Sequence, residues 1–109
     1  MIKIRQGTTT TITVNIPEDI DISTITEAWL YIKFDELQLD KVLDDMLVDE
    51  EENRFLCPLT QEETLALPLG YRGFIQIRML DENGAAYTSD PLVPVLIEEA
   101  YKKGVIGND

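Results

Sequence analysis

Histidine is absent from this chain of 109 residues, and its absence narrows the chemistry that the protein can perform. Histidine is the commonest general base near neutral pH and the commonest ligand of transition metals. A hydrolase without it would need two carboxylates facing each other in a cleft. Glu62 and Glu63 are adjacent on a predicted helical turn, where neighbouring side chains point in different directions. We therefore expect no enzyme activity, no catalytic residue and no cofactor.

Cysteine occurs once, at Cys57, so no disulfide can form within the chain. Small secreted domains are typically held together by several disulfides, and the lack of cysteine pairs favours synthesis in a reducing cytoplasm. Cys57 lies between Leu56 and Pro58 in an apolar segment, without the basic surroundings that activate a thiol. We predict a buried, inert side chain.

Long apolar runs and basic residues are also scarce. No stretch approaches the ~20 apolar residues of a membrane span, and residues 1–5 do not lead into the apolar segment of a signal peptide. Nine bases stand against twenty-one acids, which gives a net charge of −12. Nucleic acids and anionic membranes are bound by neutralising phosphates with Lys and Arg. We therefore expect a soluble protein that binds neither.

Acidic residues concentrate in residues 35–52, where Lys41 is the one base. This run has no recognisable ligand spacing, so we interpret it as solvated surface. Residues 81–84 resemble the start of a calcium loop, but the twelfth position of such a loop would be Leu92 instead of a glutamate. The Asn83-Gly84 pair is more typical of a β-hairpin turn, and we expect no metal site.

Apolar and polar residues alternate along much of the chain, which is the pattern of β-strands with one buried face. A capping box at Thr60 and Glu63 predicts one or two helical turns between the strands. We expect one domain over residues 1–98 and a mostly polar tail over residues 99–109, folded as an antiparallel sandwich or as a partly closed barrel. The predicted strands cover residues 10–16, 27–34, 38–44, 54–59, 71–80, 85–89 and 92–98.

The inward half of each alternating strand forms the predicted core. A shift of one residue in register would expose all of these side chains, so the pattern specifies the pairing strongly. Pro94 indicates that the last strand is an edge strand or is bulged. The predicted core residues are Ile12, Val14, Leu30, Ile32, Phe34, Ile75, Ile77, Val93 and Val95.

The opposite face of two of these strands carries bulky side chains as well. If residues 27–34 and 71–80 lie in one sheet, then Trp29, Tyr31, Phe74 and Arg78 share its outer face. Trp, Tyr and Arg dominate the energetics of protein interfaces, so we identify these four residues as a candidate interaction face. The alternative is that the C-terminal tail or a loop covers them.

Several short motifs lie along the chain. They are Ile4-Arg5-Gln6-Gly7-Thr8-Thr9, Leu59-Thr60-Gln61-Glu62-Glu63-Thr64-Leu65, Gly73-Phe74-Ile75-Gln76-Ile77-Arg78, the turn at residues 81–84, Ser89-Asp90 and Lys103-Gly104-Val105-Ile106. These motifs resemble those of small phage and prophage proteins from Gram-positive hosts. The order of elements is similar to that of the N-terminal domain of phage baseplate upper proteins, a β-sandwich that attaches a receptor-binding part to the tail.

This resemblance implies an immunoglobulin-like or baseplate-upper-protein-like sandwich with one short helical turn. It also implies a virion structural protein, made in the bacterial cytoplasm, which self-associates or docks onto a larger tail protein. A different class of function, binding of a carbohydrate or a peptide by the aromatic face, is the alternative. An exposed Trp and Tyr in a shallow polar-rimmed groove would favour a carbohydrate.

The acidic run generates a first prediction. Because its carboxylates lack ligand spacing, folding should not depend on a metal ion. Thermal melts in excess chelator and in excess calcium, followed by circular dichroism, should have the same midpoint. A midpoint several degrees higher in calcium would show that the acidic residues form a real binding site.

Overall fold

A computed structural model describes residues 2–34, 37–89 and 93–107, without the side chains of residues 71, 72, 93 and 94. Within this part of the chain there are nine strands and one α-helix, with two single turns of 3₁₀ helix at Ile22–Thr24 and Leu43–Asp45. The elements are β1 (Ile2–Arg5), β2 (Thr10–Asn15), β3 (Ile25–Lys33), β4 (Gln38–Val42), β5 (Leu47–Asp49), β6 (Arg54–Leu59), α1 (Gln61–Leu65), β7 (Gly70–Asp81), β8 (Ala86–Thr88) and β9 (Val93–Glu98).

Two sheets form the architecture, and the prediction of an all-β sandwich with one short helix is confirmed. The larger sheet has the order β1-β9-β7-β3-β4, with β8 paired to the far end of β7, and the smaller sheet has the order β2-β6-β5. The pairing is antiparallel except between β1 and β9, which run parallel from Ile2 opposite Val95 to Arg5 opposite Glu98. β1 was not predicted although Ile2-Lys3-Ile4-Arg5 alternates, and β5 was not predicted because three residues are too short to show a period.

The buried residues lie between the two sheets and include most of the predicted core. Seven of the nine predicted residues are buried, Val14 is half-buried against the cluster, and the side chain of Val93 lies outside the described part. Phe55 on β6 is fully buried although it was not predicted as core. The other buried apolar residues are Ile4, Ile16, Ile22, Ile25, Ala28, Met46, Cys57, Leu59, Leu67, Met79 and Ile97.

Pro94 lies where the sheet tolerates it. β9 lies between β1 and β7 and so is not an edge strand. The pairing with β1 nevertheless begins only at Val95, so Pro94 stands beyond its end. Since proline has no N–H to donate, this position costs no ladder hydrogen bond toward β1. The expected bulge is not in β9 either: the register shift of this pairing falls between Gly70 and Gly73, so β7 carries the extra residue.

Gly73 is required by close packing against Phe34. A Cβ atom at this position would lie only 2.3 Å from Cε1 of the Phe34 ring. The glycine therefore lets a large aromatic side chain cover the backbone of β7 near the end of the core.

The hairpin between β7 and β8 has a glycine bulge instead of a two-residue Asn-Gly turn. The positive φ falls on Gly84, at 84°. The Gly84 N–H donates to the Asp81 carbonyl, and the Asp81 carboxylate accepts from the N–H groups of Ala85 and Asn83. The bond from Ala85 contributes most to holding the pKa of Asp81 below its usual range. The turn lies at residues 81–84, where it was predicted.

The capping box at the start of α1 is present as predicted. The Thr60 hydroxyl accepts from the N–H of Glu63, and the Glu63 carboxylate accepts from the N–H of Thr60 at 2.9 Å. Thr64 is fully buried. Its hydroxyl accepts a hydrogen bond from the N–H of Gly7 at 3.0 Å and donates one to the Thr8 carbonyl at 2.9 Å. The helix thereby holds the corner at which the chain leaves β1 for β2.

Asn53 holds a second corner. Its backbone has a φ of 53°, in the left-handed region that asparagine tolerates better than most residues. The side-chain amide donates to the carbonyls of Ile16, Pro17 and Ile20, and its oxygen accepts from the N–H of Ile22. One side chain thus fixes the whole loop between β2 and β3.

Two substitutions at Asn53 should distinguish how much its side-chain hydrogen bonds and its backbone conformation each contribute to stability. Asn53→Gly keeps the positive φ and removes the bonds, and should cost about 1–3 kcal/mol of unfolding free energy. Asn53→Ala should cost about 1 kcal/mol more, since alanine is strained at that φ. Urea unfolding measures both differences. A glycine variant as stable as the wild type would show that the amide network does not hold the loop.

Candidate functional site

The register of β3 against β7 places the predicted interaction residues on one face. Trp29 lies opposite Arg78, Tyr31 opposite Gln76, and Lys33 opposite Phe74. Side chains opposite each other on paired strands have Cβ atoms ~4.5–5.5 Å apart. The residues between them in sequence are buried in the core. We call Trp29, Tyr31, Phe74 and Arg78 the aromatic face; they lie together on the outer side of the larger sheet.

The rings of the aromatic face are only partly covered. Trp29 and Tyr31 are half-buried, Phe74 is 44% exposed, and Arg78 is exposed. Val42 and Asp40 of β4 lie opposite Trp29 and Tyr31 and give them their cover on one flank. Ring surface therefore remains in contact with solvent on a strand pair whose inner side is already filled.

A shallow groove of about 350 Å³ runs along this face. Its lining combines two aromatic rings, two cations and two side-chain amides. These residues are Tyr31, Phe74, Lys33, Arg78, Gln38 and Gln76. The alternation of β3 and β7 places Lys33 and Gln76 beside the predicted face, but the position of Gln38 required knowledge that β4 pairs with β3.

Charge is distributed unevenly between this face and the remaining surface. On the outer side of the larger sheet, the described side chains include four bases and three acids, whereas elsewhere the described residues include four bases and fourteen acids. The acids of this side are Glu27, Asp40 and Glu98, and the bases are Lys3, Arg5, Lys33 and Arg78. The groove thus lies on a sheet face where acids do not outnumber bases among the described side chains.

The C-terminal tail lies elsewhere. The Gln61 side-chain amide accepts from the N–H of Ile106 and donates to its carbonyl, both at 3.0 Å. Val105, Ile106 and Gly107 accordingly line a cavity beside α1 instead of the groove. Among the described residues, the tail therefore does not cover the aromatic face.

The remaining sequence candidates have structural roles. Cys57 is buried as predicted, and burial raises its pKa to about 11. Burial also raises the pKa of Glu63, but the hydrogen bond and charge of Lys41 and the N–H of Thr60 outweigh it, so the pKa lies below its usual range. Glu62 is exposed on the same helical turn. In the described part of the chain, no three Cys, Asp or Glu side chains are grouped so that they could hold a metal ion.

Helices long and apolar enough to cross a membrane do not occur in the described residues. No family model, no curated protein and no solved structure matches the chain.

The environment of Cys57 predicts slow thiol chemistry in the folded protein. A pKa of about 11 leaves little thiolate near neutral pH, and the side chain is fully buried. An aromatic disulfide reagent at about pH 8 should therefore react roughly 100-fold more slowly with the native protein than with protein in urea. Absorbance of the released thiolate measures both rates, and equal rates would contradict the burial of this residue.

Proposed function

We propose that this domain is a non-enzymatic assembly module that docks onto a protein partner through its aromatic face. The observation that carries the proposal is the position of Trp29, Tyr31, Phe74 and Arg78 on the outer side of a strand pair whose inner side is already packed. The sandwich core cannot cover this ring surface, so binding a partner there would bury apolar area and lower the free energy.

The energetics suit a contact that is repeated many times. Burying one such side chain contributes roughly 1.5–3 kcal/mol before the costs of association are subtracted. Trp29 and Tyr31 are already half-buried, so the free energy gained per side chain lies toward the lower end of this range. A contact of this strength is weak alone but becomes firm when several copies bind together around a symmetric assembly.

We further propose that the assembly is a phage tail or baseplate, in which the domain is a virion structural component. The resemblance in short motifs supports this proposal, and three of the motifs lie at corners of the fold or on the aromatic face. Gly7 is bonded to Thr64 of α1, Thr60 and Glu63 form the capping box, and residues 73–78 contribute Phe74 and Arg78 to the aromatic face. The bacterial cytoplasm would be the site of synthesis and the virion the final location.

Carbohydrate or peptide binding is the second candidate, and the shape of the groove favours it. A sugar ring can stack on Tyr31 or Phe74 while its hydroxyls bond the amides of Gln38 and Gln76. Trp29 lies outside this groove, in a neighbouring depression with Glu27 and Arg78. The groove therefore offers a sugar only part of the aromatic face, whereas a protein surface can cover all of it.

Replacing Trp29 and Tyr31 together with serine tests the proposal. The variant should fold, because neither ring is in the core, and should bind tail proteins encoded by neighbouring genes about tenfold more weakly. Co-expression followed by sedimentation of the purified complex measures the difference. Leu69→Ser with Tyr101→Ser is the matched control, since both residues are exposed apolar side chains away from this face.

Two outcomes would contradict docking through this face. If the Trp29 and Tyr31 variant is unfolded by circular dichroism while the control is folded, the rings belong to the core. If the variant binds the tail proteins as tightly as the wild type does, and neutral oligosaccharides shift the amide resonances of Gln38 and Gln76, the sugar-binding candidate is correct.

A further inference from the structure

An edge segment of the smaller sheet carries the chemistry that the groove lacks. β5 pairs with β6, and its side chains Leu47 and Val48 are 65% and 44% exposed. Asp49 ends β5 and pairs with Arg54, and Glu50, Glu51 and Glu52 follow in the turn that leads to β6. We call residues 47–52 the acidic edge. Leu47 lies opposite Leu56 and Val48 opposite the buried Phe55, so the outer face of the acidic edge presents Leu47 beside the three glutamates of the turn.

The groove is complementary to this segment in both respects. Among the described residues, its lining includes Lys33 and Arg78 but no carboxylate, in a protein with a net charge of −12, and the Asp40 carboxylate beside it accepts a bond from the Gln38 amide. Lys33 lies four residues along β3 from Trp29, the partner of Arg78, so the two cations stand about 13 Å apart along the strands. Tyr31 and Phe74 offer apolar surface in the same groove. Acids of the turn can face the cations while Leu47, on the outer face of β5, covers the rings.

One molecule cannot bring its own two surfaces together. The groove lies on the outer side of the larger sheet, whereas the acidic edge belongs to the smaller sheet on the other side of the core. A contact between them therefore joins different surfaces of two copies. Such a heterologous contact leaves a free groove at one end and a free acidic edge at the other, so it repeats into a ring or a stack.

We infer that the partner of the aromatic face is a second copy of this chain, bound through its acidic edge. The inference rests on the proposed function and names the partner in it. Mutual repulsion of two acidic copies opposes the contact at low salt. At about 0.15 M salt, the Debye length is ~8 Å, so charges away from the contact are screened more than those within it.

Charge reversal tests the pairing. One variant carries Lys33→Glu and Arg78→Glu in the groove; a second carries Glu50→Lys, Glu51→Lys and Glu52→Lys in the acidic edge. In sedimentation velocity at about 0.15 M salt, each should self-associate about tenfold more weakly than the wild type. An equimolar mixture should regain association, because the reversed edge fits the reversed groove and the two native surfaces fit each other.

A control variant separates this pairing from a general effect of net charge. Glu18→Lys, Asp19→Lys and Glu82→Lys change the net charge as much as the edge variant does, at exposed positions outside both surfaces. This variant should associate at least as strongly as the wild type. If it instead loses association as the edge variant does, the contact is not specific to the acidic edge and the inference is wrong.

Failure of this inference is distinguishable from failure of the proposed function. A wild type that stays monomeric up to about 1 mM, or a mixture that does not regain association, overturns the second copy as partner. If binding of the co-expressed tail proteins still depends on Trp29 and Tyr31, docking through the aromatic face stands. If that binding is also unaffected, both proposals are wrong.

Discussion

The pairing of β3 with β7 is the constraint on which the rest of the molecule depends. Its register buries Leu30 opposite Ile77 and Ile32 opposite Ile75, and by the same geometry sets Trp29 beside Arg78 on the outside. Because successive side chains of a strand point to opposite faces, a slip of one residue would place the rings in the core and the aliphatic residues in solvent. Core and candidate site are therefore two consequences of one alignment.

Around this pair, polar side chains fix the connections that carry the chain from one sheet to the other. Asn53 binds the loop between β2 and β3, and Thr64 binds the corner between β1 and β2. Both do so with bonds to backbone groups, which would otherwise lose water without gaining a partner. Lys41 of β4 pairs with Glu63 of α1 and ties the helix to the edge of the larger sheet. A small sandwich is thus held in shape at its corners as well as in its core.

Charge is distributed unevenly over the surface of the domain. On the outer side of the larger sheet, acids and bases are nearly balanced among the described side chains. On the rest of the described surface, acids heavily outnumber bases. Like charge discourages contact between two acidic surfaces, so the proposed docking meets the least repulsion at the groove. Apolar and electrostatic terms therefore select the same face, which supports the interpretation of the domain as an assembly module.

Alternation by itself determined the all-β class, the strands that contain Ile12, Ile32 and Ile77, and the grouping of the four residues of the aromatic face, because a strand with one buried face must show a period of two. The capping box of α1 could also be predicted, because Thr60 and Glu63 are only three residues apart in the sequence. Only the tertiary structure decided that the three residues of β5 form a strand, since they do so by pairing with β6. It also decided that Gln38 enters the groove and that the tail lies against α1, because contacts between distant segments leave no periodic trace in the sequence.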